Sequence, residues 1–466
     1  MRDRPGPSSY AKRGVVAGTK KSAWNLLFDD FMLRHIKQCT ETEARNRLEN
    51  DEWALKIEDL EAFFGIMYVR GATGASKLAL HNLWSNNYGV QIVKDAMPRN
   101  RFQEILRYLR FDEKSTRSQR LQEDKFALVS VIWNRFIENC QSCYVPGPWI
   151  TVDEQLFPSK SRCRFTQFMA NKPDKYGQKF FLAVDKEAKY VLNAIPYLGK
   201  DEMRPGNERL ADYVVKTLVN PYLRKGRNVT TDNFFTSLQL AKYLKSQSTS
   251  IVGTMDRKRR EVPEIAKKCK EELYHTQVLK ESDATLSVYQ GKRNKDVLIL
   301  STLHPEVSVE SGGKKKPESV LCYNETKYGV DVVDQMAKKY SVKMPCRRWP
   351  VHTVCNILDL AAINAWVLYK EVTGEKISRR EFILTLAEEL VTPNKEQRGR
   401  GPTAEENADV DLQNPKGERK KCQVKKECQR NKTRYTCSKC QKNVCKKCIG
   451  REAQIILCFY CHEKEG

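Results

Sequence analysis

The segment that decides the fold of this chain is residues 149–179, WITVDEQLFPSKSRCRFTQFMANKPDKYGQK. Apolar and polar residues alternate at its start, with Ile150 and Val152 on one face, and this pattern predicts a β-strand. Asp153 stands where the strand approaches a loop crowded with lysine and arginine. A single aspartate near a strand end commonly caps a turn or is solvated, so Asp153 gains meaning only if other acids join it.

The composition is that of a globular protein. The chain has 466 residues, 40% of them hydrophobic and 30% charged, which is enough for about two to four domains with a sizeable core. No apolar run approaches the roughly 20 residues of a membrane span. The N-terminal sequence MRDRPGPSSYAKRG lacks the apolar stretch of a secretory signal. We therefore expect a protein without membrane contact in a reducing compartment.

Charge and cysteine usage indicate the partners. A formal net charge of +24 favours a polyanion, and nucleic acid is the leading candidate. Eight of the 16 cysteines are scattered between Cys39 and Cys355, and the other eight lie within residues 422–461. Such clustering in an intracellular protein indicates bound metal in place of disulfides.

The order of predicted elements indicates a mixed fold. Helical spacing is present in residues 24–39, 57–69, 102–109 and 126–137. Residues 149–244 instead predict a strand, a hairpin (179–185 and 190–197), a helix (211–223), a strand (228–231) and a helix (237–244), which together form an α/β layer. A basic, irregular insertion follows, with strand-like pieces at 285–289 and 297–300, and helical spacing returns in residues 329–340, 354–368 and 382–390.

Four aspartates lie on three of these elements. Asp153 lies near the end of one predicted strand, and Asp232 directly follows another. In the helical stretch GVDVVDQM, Asp331 and Asp334 lie three residues apart and therefore on one face. If acids from the three elements meet, they cannot all stay ionised without cations. Two Mg²⁺ or Mn²⁺ ions about 3.5–4 Å apart would solve this and support phosphoryl transfer on DNA. The alternative is a set of unrelated capping or solvated aspartates.

Six motifs in order resemble the piggyBac transposases and the piggyBac-derived proteins of genomes. They are VDEQL, RCRFTQFMANKPDKYGQKFF, YLGKDE, NVTTDNFFTS, YNETKYGVDVVDQM and RRWPVHTVCNILDLAAINAWVLY, and MPRNRFQEILRYLRFD is similar to the helical part of the same family. The resemblance covers about residues 24–392 and the tail. It implies an α/β RNase H-like catalytic core interrupted by an insertion, a flanking helical dimerisation and DNA-binding domain, and a small C-terminal zinc-binding cross-brace domain.

The resemblance also implies an activity. The catalytic aspartates of the family fall on Asp153, Asp232 and Asp331, with a further functional aspartate at Asp334. The implied reaction is cut-and-paste transposition: strand nicking, hairpin formation and opening, and strand transfer at TTAA. The implied partner is double-stranded DNA with terminal inverted repeats, bound by a homodimer in the nucleus. No small-molecule substrate is expected.

The expected domain boundaries follow from the elements and the resemblance. They are a disordered basic N-terminus (1–22), a helical domain in two parts (23–145 and 346–392), a catalytic domain (146–254 and 323–345), an insertion domain (255–322), a linker (393–420) and a cysteine-rich zinc domain (421–466).

Several residues near the motifs are candidates for accessory roles. Glu154 should point away from Asp153, because neighbouring side chains alternate along a strand, and act as a salt-bridge partner. Lys160, Arg162 and Arg164 either hold DNA phosphates or form a solvated basic loop. Arg347 and Arg348 are further predicted DNA contacts. Trp349 could wedge against a base, but a core anchor at the start of a helix is the favoured role.

The C-terminal cysteines predict two structural zinc sites. The eight ligands are Cys422, Cys428, Cys437, Cys440, Cys445, Cys448, Cys458 and Cys461. Spacing does not determine their pairing; the resemblance implies that the first pair shares an ion with the third. Lys425 stands where the family has a cysteine, so either Cys428 replaces that ligand or the first site is weakened. The basic tail fits terminal-repeat DNA and a nuclear localisation signal.

Three functions compete. The first is an active transposase, and the second is a domesticated DNA-binding or chromatin protein that retains the fold without catalysis. A RING-type ubiquitin ligase is disfavoured because the tail lacks the usual central histidine. The intact acids favour the transposase.

Overall fold

The computed structural model describes most of the chain. It covers residues 4–399 apart from 76–77, 88, 171, 200–205, 207, 268–271 and 294, and then residues 420–424, 426, 428, 431–433, 435–436, 440, 442–452 and 456–458. Contacts divide the chain into two units, Met1–Lys395 and Glu396–Gly466.

The helices and strands are as follows. The helices are α1 (Ser9–Gly14), α2 (Lys20–Asn25), α3 (Asp30–Leu48), α4 (Ile57–Ala72), α5 (Gln91–Ala96), α6 (Arg99–Tyr108), α7 (Arg117–Glu123), α8 (Ser130–Cys143), α9 (Leu210–Val219), α10 (Leu238–Ser246), α11 (Glu264–Lys267), α12 (Glu318–Thr326), α13 (Gly329–Lys339), α14 (Trp349–Thr373) and α15 (Arg379–Gly399). The strands are β1 (Gly6–Pro7), β2 (Tyr144–Val145), β3 (Trp149–Pro158), β4 (Thr166–Phe168), β5 (Tyr176–Asp185), β6 (Val191–Pro196), β7 (Asn228–Thr231), β8 (Ser250–Thr254), β9 (Thr276–Glu281), β10 (Ala284–Lys292), β11 (Lys295–Ser301), β12 (Lys420–Lys421), β13 (Lys432–Thr433), β14 (Ile449–Glu452) and β15 (Ile456–Cys458).

A mixed sheet organises the first unit. Its strand order is β4-β5-β3-β7-β8-β11-β10-β9. Strand β6 also pairs with β5, on the side opposite β3, where it follows β4 along the strand. Strands β3, β7 and β8 are parallel, whereas β5 and β6 form the predicted antiparallel hairpin. The central strands are buried: all four residues of β7 are buried, although three of them are polar, and so are the three inner residues of β8. The predicted mixed α/β layer is confirmed.

The predicted insertion is continuous with this sheet. Its two strand-like pieces lie within β10 and β11, and β11 pairs antiparallel with β8 through Leu300 and Gly253. Strands β9, β10 and β11 of this segment therefore extend one edge of the sheet. Its basic runs at residues 257–260 and 314–316 lie between elements and not in the strands.

The helix α14 is the apolar centre of the helical part. It is long and apolar enough to cross a membrane, but 94% of its most apolar window is buried inside the protein. Asn364 shows why the burial is stable: its side chain accepts from Val191 N at 2.8 Å and donates to Val191 O at 2.9 Å. This helix is therefore packed against β6 as a core element.

The prediction that residues 1–22 are disordered is wrong for the described residues of this segment. Ser8 caps α1, β1 pairs with β2, and Ala11 is fully buried. Lys20 Nζ donates to Tyr369 Oη at 3.0 Å and lies 4.6 Å from the centre of that ring. The polar composition of this segment predicts disorder, but the segment is ordered by contacts with α14, more than 300 residues away in the chain.

The predicted linker also begins too early. Helix α15 continues to Gly399 with Pro393 inside it, so residues 393–399 are helical. Residues 400–419, the rest of the predicted linker, lie outside the described residues.

Candidate active site

Two parallel strands bring Asp153 and Asp232 together. Val152 of β3 pairs with Thr231 of β7, so the next residue of each strand is one of the two aspartates. One carboxylate oxygen from each of Asp153, Glu154 and Asp232 lies within 4.8 Å of the other two. The sheet register thus produces the cluster that the sequence predicted only as a possibility.

The turn after β7 holds Asp232 in one orientation. Asp232 Oδ1 accepts from Phe234 N at 3.0 Å and from Phe235 N at 3.3 Å. Thr236 Oγ1 donates to Asp232 O at 2.7 Å and shares a hydrogen bond of 2.7 Å with Thr231 Oγ1. One carboxylate oxygen is therefore used to fix the turn, and the other can serve as a ligand atom.

A glycine lets the third element approach. A Cβ atom at Gly329 would lie 2.5 Å from Thr151 Oγ1, which is shorter than any real contact of this kind. Helix α13 therefore packs directly on β3, and Asp331 comes near enough for its charge to raise the pKa of Asp153. Asp331 Oδ1 lies 3.6 Å from Lys172 Nζ, with 49% of its side chain exposed.

The prediction for Glu154 is correct in one part and wrong in another. Its carboxylate lies 3.8 Å from Lys179 Nζ, so it is a salt-bridge partner. It does not point away from Asp153, because it belongs to the same cluster. Alternation along a strand determines the direction of the Cα–Cβ bond, and it does not determine where the end of a long side chain lies.

Lys179 places a positive charge next to the carboxylate cluster, and the sequence did not predict this role for it. Its side chain is 15% exposed. Its ammonium group lies 4.8 Å from the ring centre of Phe181 and 5.1 Å from that of Phe234. Both ring faces attract a cation, and the carboxylate of Glu154 completes its surroundings. The residue was not predicted because its partners come from different elements.

The electrostatics of the cluster disfavour several negative charges at once. Burial, then the charges of Glu154 and Asp232 and a smaller effect of Asp331, raises the pKa of Asp153 from 3.8 to about 8. Burial also raises the pKa of Asp232 and of Glu154, against the opposing charge of Lys179. Hard oxygen donors that repel one another in this way fit a divalent cation.

Comparison with known proteins agrees with this geometry. A family model described as Transposase IS4 matches residues 19–366. A solved piggyBac transposase, in a synaptic complex with hairpin DNA, resembles the chain with a TM-score of 0.81 and 28% sequence identity, over 98% of this chain and 100% of that chain. The chain belongs to the piggyBac transposase family.

Human relatives in this family are more distant in sequence. PiggyBac transposable element-derived protein 3 is 23% identical over 390 residues, which cover 79% of this chain and 64% of the relative. PiggyBac transposable element-derived protein 2 is 22% identical over 365 residues, which cover 74% and 61%. The chain thus spans less than two thirds of the length of either human protein.

The fourth aspartate of the piggyBac motif is in different surroundings. Asp334 is 6% exposed, and its Oδ2 lies 2.7 Å from Lys338 Nζ. It lines a cavity beside the cluster, and it is not among the three grouped carboxylates of the described residues. Its catalytic role stays a prediction.

The predicted DNA-contacting cations occupy two kinds of position. Lys160, Arg162 and Arg164 are exposed on the loop after β3, and Arg347 is exposed before α14. Arg348 instead donates to the carbonyls of Leu106 and Leu109, the latter at 2.8 Å, and so ties α14 to the end of α6. These contacts show what Arg348 does without DNA, and its DNA contact stays a prediction.

Trp349 is confirmed as a core anchor. Its ring stacks on Phe126 with ring centres 5.7 Å apart, and it meets Phe165 edge-on at 5.0 Å. A side chain held between two rings at the start of α14 is not positioned as a wedge between bases.

The cysteine tail contains one assembled group among the described residues. The Sγ atoms of Cys422, Cys428, Cys445 and Cys448 lie within 4.8 Å of one another. Tetrahedral zinc with Zn–S bonds of about 2.3 Å separates its sulfurs by about 3.8 Å, so the group fits zinc. Cys422 and Cys428 thus lie together with Cys445 and Cys448, as expected if Cys428 replaces the ligand that Lys425 lacks and if the first pair joins the third.

The other predicted zinc ligands are only partly described. Cys440 is described, whereas Cys437 and Cys461 lie outside the described residues. Cys458 ends β15, where its backbone pairs with Ile449. The second zinc site stays a prediction.

Proposed function

We propose that the protein is a DNA transposase that cuts and rejoins DNA by metal-dependent phosphoryl transfer. The observation that carries the proposal is the cluster of Asp153, Glu154 and Asp232, each of which has one carboxylate oxygen within 4.8 Å of the other two. Such a group is electrostatically unfavourable without cations, as the raised pKa of Asp153 indicates. A purely structural role would not require this arrangement.

The sheet supports an RNase H-like catalytic core. The order β6-β5-β3-β7-β8 combines an antiparallel hairpin with parallel strands. Asp153 and Asp232 lie on the adjacent parallel strands β3 and β7 or directly after them, and α13 covers β3 with Asp331. We assign the catalytic role to Asp153, Asp232 and Asp331, with Asp334 as a further functional residue.

The side chains divide the catalytic work. Asp153, Asp232 and Asp331 would hold two Mg²⁺ or Mn²⁺ ions, and Glu154 is close enough to take part. When bound, these ions supply activation of the attacking oxygen and charge stabilisation of the leaving oxygen. The turn that fixes Asp232 orients its carboxylate before DNA binds, which lowers the cost of assembling the site.

Each step of the proposed reaction forms one P–O bond at a phosphodiester and breaks another. A water oxygen bonds to phosphorus while the 3′ oxygen leaves, and that 3′ oxygen then attacks the opposite strand to form a hairpin as another P–O bond breaks. Hydrolysis reopens the hairpin and frees the 3′ hydroxyl, which then attacks a phosphodiester of the target at TTAA while the 3′ oxygen of the target strand leaves. The similarity to a piggyBac complex with hairpin DNA supports this sequence.

Charge and family support the partners. The net charge of +24 suits double-stranded DNA with terminal inverted repeats. Lys160, Arg162, Arg164 and Arg347 are exposed for phosphate contacts. We further propose a homodimer on paired ends, a nuclear location and two structural zinc ions in the tail.

A second candidate is a domesticated DNA-binding protein without catalysis. It is favoured by the curated relatives, which are human piggyBac-derived proteins. The two candidates differ in one measurable property, the cutting of DNA.

The test uses the purified full chain and a DNA that contains the sequences on both sides of its gene, joined to TTAA. With Mg²⁺ or Mn²⁺, denaturing gels should show nicked and hairpin products that chelation abolishes. Asp153→Ala and Asp232→Ala should each reduce the rate at least about 100-fold, the effect of losing about 3 kcal/mol of transition-state stabilisation. Asp30→Ala, which breaks only a surface pair with Arg34, is the control. No products, or products unaffected by the variants, would reject the enzyme and leave the second candidate.

A further inference from the structure

A cavity of about 660 Å³ lies beside the carboxylate cluster. It is bounded by the second half of β3, the start of β5, the second half of α13 and residues 341–346. Phe157, Met344 and Pro345 contribute apolar surface to its wall. Its volume is in the range of small-ligand sites. Of its lining residues, the catalytic scheme above uses Asp334 and Lys160, and it assigns no ligand to the cavity itself.

The polar lining of this cavity is mainly positive. Five lysines contribute to it: Lys160, Lys175, Lys338, Lys339 and Lys343. Three aspartates also line it: Asp174, Asp334 and Asp359. Asp334 is paired at 2.7 Å with Lys338, one of the five lysines. Asp359 accepts from Ser341 Oγ at 2.6 Å and from Val342 N at 2.9 Å, and burial raises its pKa to about 8. The cavity therefore has an excess of positive charge at neutral pH and suits an anion.

Two exposed aromatic rings stand at its edge. Phe168 of β4 pairs across the hairpin with Tyr176 of β5, which also lines the cavity. Their ring centres are 5.0 Å apart, and the two residues are 56% and 55% exposed. Cross-strand packing explains the contact between the rings, but it leaves more than half of each residue in water. Exposed aromatic rings among lysines are typical of surfaces on which unpaired bases stack.

The cavity is within one nucleotide of the acids. Gln155, which lines it, follows Asp153 by two residues of a strand, or about 7 Å. Asp334 follows Asp331 by three residues of a helix, or about 4.5 Å along the axis. Lys172, in the loop between the two aromatic residues, already contacts Asp331. A nucleotide next to a phosphate at the acids can therefore reach the cavity.

We propose that the cavity and the Phe168–Tyr176 pair form a binding site for an unpaired nucleotide adjacent to the reacting phosphate. The base stacks on the exposed rings, and the lysines of the cavity hold the phosphate of that nucleotide. The ligand class is an unpaired deoxynucleotide within a DNA strand, and stacking accepts any base because every base has a π face. This inference rests on the proposed function, since it assumes that DNA occupies the neighbouring acids.

Photocrosslinking tests the site without requiring cleavage. The full chain is mixed in EDTA with a forked DNA that carries 5-iodouracil in its unpaired arm, and with a fully paired DNA of the same sequence. After irradiation, mass spectrometry should find the unpaired base attached to Phe168 or Tyr176 and the paired base attached to neither.

Measurements of DNA-binding affinity test how much the two aromatic rings contribute to binding. Phe168→Ala combined with Tyr176→Ala should weaken binding of the forked DNA by about 5- to 140-fold, the range expected for one stacked base. Binding of the paired DNA should not change. Tyr10→Ala, which removes a ring from a residue that is 52% exposed in α1, is the matched control. Because the replaced rings are exposed, the thermal unfolding temperature should be unchanged, and this is checked first.

The outcomes separate this inference from the proposed enzyme. Equal weakening on forked and paired DNA, or crosslinks only to peptides outside residues 168–176, would overturn the nucleotide site. A chain that crosslinks through these rings but cuts no DNA supports the nucleotide site and contradicts the proposed catalysis. A chain that cuts DNA without such crosslinks supports the proposed catalysis and contradicts the nucleotide site.

Discussion

Replacement of Asp153 by asparagine should stabilise the metal-free protein at alkaline pH. Asparagine retains the shape of the side chain and the oxygen that accepts a hydrogen bond of 2.7 Å from Glu154 N. It removes one negative charge from the cluster. The pKa of Asp153 is raised from 3.8 to about 8, so the folded protein keeps a proton that the unfolded chain loses above about pH 4. The contribution of Asp153 to stability is therefore fully present below about pH 4 and is lost as the pH rises through about 8.

The size of the effect follows from that shift. Four pKa units at about 1.36 kcal/mol each set an upper limit on the order of 5 kcal/mol above pH 8. Water entry and relaxation of Glu154 and Asp232 reduce it, so we expect Asp153→Asn to be roughly 2–5 kcal/mol more stable than the wild type at pH 8.5. At pH 4 the two proteins should differ little, because Asp153 is then protonated in the folded state.

The assay is unfolding by urea in the presence of EDTA, monitored by tryptophan fluorescence. All seven tryptophans lie in the first unit, so the signal reports the unit that contains the cluster. Asp30→Asn is the control, because the Asp30 side chain is 63% exposed and pairs only at the surface. Addition of Mn²⁺ at pH 8.5 should stabilise the wild type and have a smaller effect on Asp153→Asn. If Asp153→Asn is less stable than the wild type at pH 8.5, or the gain is the same at pH 4, the carboxylates do not repel one another as described and the reasoning fails.

Three further changes test other parts of the structure. Cys428→Ser should remove one zinc ion per chain by elemental mass spectrometry, and an unchanged zinc content would show that Cys428 is not a ligand. Gly329→Ala should lower the free energy of unfolding by roughly 1–3 kcal/mol and weaken Mn²⁺ binding, since its methyl group displaces the helix of Asp331 from Thr151; unchanged unfolding in urea would contradict the close approach. Glu154→Gln should weaken Mn²⁺ binding about 10- to 100-fold by calorimetry, and unaltered affinity would limit Glu154 to its salt bridge.

Local pattern was enough to predict much of the fold. The alternation of residues 149–158, the hairpin and the helical spacing of α14 each report the immediate surroundings of the backbone, and they recur in the structure. The motifs containing Asp153, Asp232 and Asp331 predicted the family. Chemistry that depends on residue type, such as cysteine for zinc, is likewise visible in the chain itself.

Other features required contacts between distant segments. The order of the N-terminal residues depends on Lys20 reaching Tyr369, and the position of Asp331 depends on the absence of a side chain at Gly329. Neither contact has a local signature, because each partner lies far along the chain. The glycine at position 329 is visible in the sequence, but its role in the close packing of α13 on Thr151 can be recognised only from the structure.

The sequence by itself determined the residue types of the site, their order along the chain and the basic charge that selects a polyanion. Only the tertiary structure decided that Glu154 joins Asp153 and Asp232 and that Cys428 completes a group of four sulfurs. The physical reason is that the reach of a long side chain and the register of two strands are set by what packs around them. Spacing along one chain specifies neither.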